Sequence, residues 1–278
     1  MRTAMSFPRC ATLTAAAMCA VMLPASFAGA VMVVNNDTLA APDNSYIGRW
    51  NGSSAVAIGP NWVISAKHVG GVVGGFFTMH GESYRAVEIR EHATQDLILI
   101  RVAETLPGYH RIAANPDIGT LALLGGWGVT DGNPITNGYD WNGVWQETWG
   151  ANTIENAGTL IVIRFDAPSS QAAVPHEAIF TVNDSGGGLF VYGDDGSLEL
   201  TGIAVSVTGF GSSVYGNYAF CLNCDTLRSW ISPIVDPGAP INSSVEAPRA
   251  GLFTGLDLGA IGAGFVGFAL ASRRRRER

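Results

Sequence analysis

Cysteine is scarce in this chain, and so is charge. Of 278 residues only 4 are cysteine, and Asp, Glu, Lys and Arg together make up 14%. Cys10 and Cys19 fall within an N-terminal stretch that reads as a removable leader, which leaves Cys221 and Cys224 to the mature protein. Two cysteines exclude the disulfide framework on which small exported folds rely. They also fall short of the four ligands of a zinc site, so no metal is expected. The Cys-x-x-Cys pair is expected instead to close a small loop, as a Cys221–Cys224 disulfide ahead of a last helix. Bases are the scarcer sign: residues 31–249 hold 21 acids against 9 bases, a balance that disfavours nucleic acid as a partner.

Long apolar runs occur only at the two ends. Arg2 and Arg9 precede the apolar segment Ala11 to Leu23, and Ala28-Gly29-Ala30 follows it. This is the order of a secretory signal, so residues 1–30 are set apart from the fold and the protein is expected to be exported. At the other end Leu252 to Ala271 is apolar, broken by Asp257, and runs into Arg273 to Arg276. Roughly twenty residues match a bilayer core, and a basic cluster beyond them stays on the cytoplasmic side. Residues 251–278 are therefore read as a membrane anchor or sorting tail, joined by a linker over 236–250. The tail resembles bacterial C-terminal sorting tails, which carry a Pro-Glu-Pro motif, although Val245-Glu246-Ala247-Pro248 stands in that place. The resemblance implies a tail-processing enzyme as a partner and a site of action at the bacterial cell envelope or outside the cell.

Between the ends, 35 glycines and many short β-branched runs point to an all-β fold. Strand-like runs occur at Ala55–Ile58, Trp62–Ser65, Gly75–Met79, Tyr84–Ile89 and Leu97–Val102. A connector with Pro107 and Pro116 follows, then runs at Leu121–Trp127, Thr159–Phe165, Gly188–Tyr192, Leu198–Val207 and Tyr218–Phe220. A closing helix is expected over about 224–234, and residues 31–44 read as a polar leading segment. Asp131 to Gly150 carries Trp141, Trp145 and Trp149 among Asn and Gly, and reads as an irregular loop that covers a hydrophobic edge, with an aromatic contact patch for substrate as the alternative.

The chemistry gathers around Asn183-Asp184-Ser185-Gly186-Gly187-Gly188. Successive glycines let main-chain N–H groups turn toward one point beside a serine, which is how an oxyanion hole is built. A serine is a poor nucleophile without a base. His68 closes the apolar run Trp62 to Ser65, and Asp96 stands immediately ahead of Leu97-Ile98-Leu99-Ile100. The order His, Asp, Ser distinguishes this arrangement from hydrolases whose nucleophile elbow comes first.

These stretches, together with Leu124-Gly125-Gly126-Trp127-Gly128, Gly202 to Ser206, Gly216-Asn217-Tyr218 and Ser229-Trp230-Ile231, resemble the trypsin-like serine protease family across about residues 45–235. The resemblance implies two six-stranded antiparallel barrels, one over about 45–110 and one over about 118–222, with the active site in the cleft between them. It implies a polypeptide substrate, no cofactor, and His68, Asp96 and Ser185 as a triad, with oxyanion donors on the N–H groups of Asn183 and Ser185. The specificity pocket would be floored by Ile179 and walled by Ser206, Val207, Thr208 and Gly216. With no acid at its base, that pocket would favour apolar residues before the scissile bond. In the family an acid at the place of Asp184 pairs with a freed N-terminus, for which this sequence shows no partner. An inactive binding module and an esterase on the same fold are the alternative readings.

Overall fold

The structure, a computed structural model, describes residues 31–237. The leader, most of the linker and the C-terminal tail lie outside the described residues. Among the described residues no helix is long and apolar enough to cross a membrane.

The strands in chain order are β1 Val31–Val33, β2 Ile47–Trp50, β3 Ser53–Gly59, β4 Trp62–Ser65, β5 Phe76–Met79, β6 Glu82–Glu91 and β7 Ile98–Val102. After the proline-bearing connector come β8 Leu121–Thr130, β9 Pro134–Ile135, β10 Gly138–Asp140, β11 Val144–Ala157 and β12 Leu160–Arg164. The last are β13 Ala178–Phe180, β14 Gly188–Tyr192, β15 Leu198–Val207, β16 Ser212–Val214 and β17 Tyr218–Asn223, followed by the helix α1 Arg228–Val235. Two antiparallel barrels close, in the orders β2-β3-β4-β7-β6-β5 and β11-β12-β17-β15-β14-β8.

Strand periodicity explains why the strands next to His68 and Asp96 are apolar on both faces. Alternate side chains of a strand point to opposite sides of the sheet. Ala55, Ala57, Val63, Ile98, Ile100 and Val102 fill the first barrel. Their neighbours Val56, Ile58, Ile64, Leu97 and Leu99 turn outward onto Leu200, Ile203 and Val205 of the second barrel and Ile231 of α1. A continuous Leu97-to-Ile100 run is thus what a strand buried on both faces requires.

One buried histidine ties the barrels together at their backs. His110 accepts the N–H of Tyr46 on Nε2 at 3.1 Å, while Nδ1 lies 2.9 Å from the carbonyl of Leu198. Its ring packs against Phe190 at a tilt of 53°, with centroids 4.7 Å apart.

Three local expectations are corrected. The Trp segment is no loop: β11 pairs with β8 in unbroken register from Val144↔Thr130 to Thr153↔Leu121. Trp149 is fully buried because its partner there is Gly125, where any Cβ would sit 2.8 Å from the indole. Residues 31–33 are no loose leader either, since β1 pairs with β13 and is fully buried in the second core. Finally, Cys221 and Cys224 are free thiols. Three residues apart on an extended segment, they point to opposite sides: Cys221 enters the second barrel and Cys224 the junction between barrels. Burial pushes the Cys224 thiol up to about 12 and holds the Cys221 thiol higher still. The helix, expected from 224, begins at Arg228.

Burial holds His110 below its ordinary value of 6.5, so its neutral form belongs to the folded state. A base depressed on folding contributes stability that is present above its unfolded value and lost as pH falls through the folded one. Urea unfolding midpoints should therefore fall as pH drops below about 6.5, and less steeply in His110→Gln; equal slopes in the two proteins would remove His110 from the acid response.

Candidate active site

Each catalytic candidate is delivered by the end of a strand. β4 stops at Ser65, and the 3-10 turn Lys67–Val69 carries His68 out to the surface. Gly70, at φ +69°, ends that turn. Asp96 sits in the turn between β6 and β7, anchored from Lys67, whose N–H donates to the Asp96 carbonyl at 3.2 Å. Ser185 lies in the turn before β14 and is 7% exposed.

These three residues, scattered over 117 positions, form one hydrogen-bonded row. His68 Nε2 is 2.7 Å from Ser185 Oγ, and His68 Nδ1 is 2.5 Å from Asp96 Oδ2. The second carboxylate oxygen of Asp96 accepts the backbone N–H of His68 at 2.8 Å. An aspartate that holds both ring and backbone of one histidine leaves the imidazole a single orientation, with Nε2 toward the serine.

Ser185 is held by the other barrel. Ser53 Oγ reaches the carbonyls of Asn183 at 2.6 Å and Ser185 at 2.9 Å, and Ser54 N–H donates to the Ser185 carbonyl at 3.1 Å. Ser54 Oγ bridges to Trp127, accepting its N–H at 2.6 Å, and Ser65 Oγ donates to the Ser54 carbonyl at 2.8 Å. Gly186 has to be glycine twice over: its φ is +84°, and a Cβ would fall 2.1 Å from the Ser54 carbonyl oxygen. Sequence reasoning missed Ser53 and Ser54, for two small hydroxyls at a strand start carry no signal until the second barrel is laid against them.

The N–H groups of Asn183 and Ser185 belong to the preceding peptides, whose carbonyls are those of Val182 and Asp184. Among the described residues neither donates to a backbone or side-chain acceptor. Asn183 takes φ +72°, a left-handed geometry that asparagine adopts more readily than most residues.

Asp184 is fully buried. Its Oδ2 accepts the backbone N–H of Thr181 and, at 2.9 Å, the Thr181 hydroxyl. Among the described residues Oδ1 has no hydrogen-bond partner; it faces Gly126 and Gly128, where Cβ atoms would lie 3.2 and 2.6 Å away. Burial lifts this carboxyl well above the usual carboxylate range. Nearby, Glu177 accepts the N–H groups of Asp166 (3.0 Å) and Val174 (3.1 Å) and so fixes the segment leading into β13. Burial pushes it up to about 7 against the pull of those donors.

Beside Ser185 a small pocket opens between Phe180, Thr181 and Asp184 on one side and Ala204, Val205, Ser206 and Val207 on the other. Of the residues assigned to the specificity pocket, Ser206 and Val207 line this one. Ile179 does not line it: paired with Met32 across β1 and 1% exposed, it belongs to the barrel core, and Phe180 and Thr181 take the place assigned to it. Thr208 and Gly216 do not line it; the Thr208 hydroxyl accepts Tyr218 N–H at 2.7 Å, and Gly216, at φ +93°, donates to the Phe165 carbonyl.

No protein-family model and no curated protein matches the chain. Solved structures do, in 606 chains. One is neuropsin, a serine protease expressed in the limbic system of mouse brain, with a TM-score of 0.55 over 72% of this chain and 98% of that one. The fold is the chymotrypsin fold. At 14% identity the likeness to neuropsin concerns architecture alone, and the chemistry has to be argued from the residues of this chain.

Replacing Asn183 by Ala should cost about 1–2 kcal/mol through the left-handed backbone, whereas Asn183→Gly should be tolerated; urea denaturation of the two variants measures the difference, and equal stabilities would mean the turn relaxes away from this geometry.

Proposed function

We propose that the protein is a serine endopeptidase acting through an acyl-enzyme. The observation that carries this reading is the unbroken Asp96–His68–Ser185 row beside two unengaged N–H groups. Ser185 Oγ attacks the scissile carbonyl carbon as His68 Nε2 takes its proton, and Asp96 stabilises the imidazolium that results. The carbonyl oxygen, now an anion, moves toward the N–H groups of Asn183 and Ser185, each such donor being worth about 3 kcal/mol in the transition state. His68 then hands its proton to the leaving amine, the C–N bond breaks, and water repeats the sequence to free Ser185.

The pocket supports an apolar preference before the scissile bond. Phe180, Ala204, Val205 and Val207 line it, and the only carboxyl there, Asp184, is buried behind its hydrogen bonds to Thr181.

Export and anchoring complete the proposal. Removal of residues 1–30 would leave Val31, the first residue of β1, at the new N-terminus. The tail, with its apolar run and arginines, would hold the enzyme at the outer face of a bacterial cytoplasmic membrane until a sorting enzyme acts on it. Deleting residues 250–278 should move activity from the membrane to the soluble fraction; equal partitioning of both forms, with the tail intact, would refute the anchor.

A fluorophosphonate probe tests the chemistry. Wild-type protein should be labelled and Ser185→Ala should not, while Asp96→Asn should lose roughly four orders of magnitude in turnover. Peptide-library profiling should return apolar residues before the cleaved bond. Undiminished labelling of Ser185→Ala, or hydrolysis of esters but no peptides, would overturn the endopeptidase reading.

A further inference from the structure

The turn that presents Asp96 is organised by a side chain outside the triad. His92 Nδ1 accepts the backbone N–H groups of Gln95 at 2.9 Å and Thr94 at 3.2 Å. Two donors on one ring nitrogen require that nitrogen to carry a lone pair, so the proton of this imidazole sits on Nε2. The main chain of His92 completes the frame. Its N–H donates to the Leu97 carbonyl at 2.9 Å, and its carbonyl accepts Lys67 Nζ at 2.9 Å, from the residue that precedes His68. The ring stands edge-on to Trp230 of α1, with centroids 4.8 Å apart and planes at 73°.

The turn therefore has both ends tied to one residue. The bond to Leu97 closes it across its base, and the two bonds to Nδ1 curl Thr94 and Gln95 inward. Asp96 follows directly, with its carbonyl on Lys67 N–H and both carboxylate oxygens on His68. Without an acceptor at the place of His92 Nδ1, the N–H groups of Thr94 and Gln95 would turn to solvent, and the peptide that leads into Asp96 would lose its fixed direction. We propose that His92 is a positioning residue for the triad, acting through the Thr94–Gln95 amides to aim the Asp96 carboxylate. This inference rests on the triad reading above.

The test uses two substitutions that separate the acceptor from the ring. His92→Phe keeps an aromatic edge against Trp230 and removes the acceptor; His92→Asn loses the ring and restores an oxygen acceptor of the kind that caps such turns. Inactivation by a fluorophosphonate gives kinact and KI without knowledge of the natural substrate. His92→Phe should lower kinact ten- to a hundredfold, the scale of a misplaced catalytic group, with KI within about twofold, and His92→Asn should recover most of the loss. A kinact unchanged in His92→Phe, or lowered equally in both variants, would overturn the inference. If His92→Phe does not fold, His92→Asn decides alone: kinact within about threefold of wild type supports the acceptor role, and a tenfold loss contradicts it. Ser185→Ala and Asp96→Asn in the same assay keep the two claims apart. Labelling that survives in them refutes the triad, whereas normal kinact in His92→Phe beside dead triad variants refutes only the role of His92.

Discussion

Everything in this site depends on a clamp between the barrels. Ser53 and Ser54, at the start of a first-barrel strand, bind the carbonyls of Asn183 and Ser185 at the opening of a second-barrel strand. His68 and Asp96 belong to the first barrel and Ser185 to the second, so the 2.7 Å contact between imidazole and hydroxyl measures how the barrels are seated. Apolar burial supplies most of the force that joins them, yet it is indifferent to small sliding motions. Directed hydrogen bonds at the cleft, and the buried His110 strut on the far side, convert that adhesion into one register.

The turn itself sets the direction of the Ser185 N–H. That N–H shares its peptide with the Asp184 carbonyl, which accepts Gly187 N–H at 2.7 Å, and a trans peptide turns the two to opposite sides. Gly186 permits the approach, since any side chain there would strike Ser54. Asp184, between Asn183 and Ser185, is drawn inward with one oxygen bonded to Thr181 and the other, among the described residues, without a hydrogen-bond partner. Such a group costs stability.

Much of this was legible in the sequence where chemistry is local. His68, Asp96 and the Asp184-to-Gly188 run each announce themselves within a few residues, the apolar strands around them indicate a β fold, and the two closed barrels were implied by the resemblance to the trypsin-like family. What escaped depends on contacts between distant segments. Trp149 in an Asn- and Gly-containing stretch looks like loop until Gly125 is set opposite it. Val31 to Val33 is too short to be read as a strand, yet β13 gives it a partner. Cys221 and Cys224 look paired by spacing, although strand alternation parts their side chains. Counting back from Ser185 led to Ile179, where the pairing with Met32 takes the side chain into the core and leaves the pocket to its neighbours.

A peptide boronate would test the central claim most directly, because boron bonds to the attacking oxygen and its own oxygen stands where the oxyanion would form. A crystal structure of the adduct should show boron bound to Ser185 Oγ, an oxygen about 2.7–3.1 Å from the N–H groups of Asn183 and Ser185, and the Ser53 and Ser54 contacts unchanged. Boron bound elsewhere, or an oxygen turned away from both N–H groups while Ser185 is modified, would contradict the account.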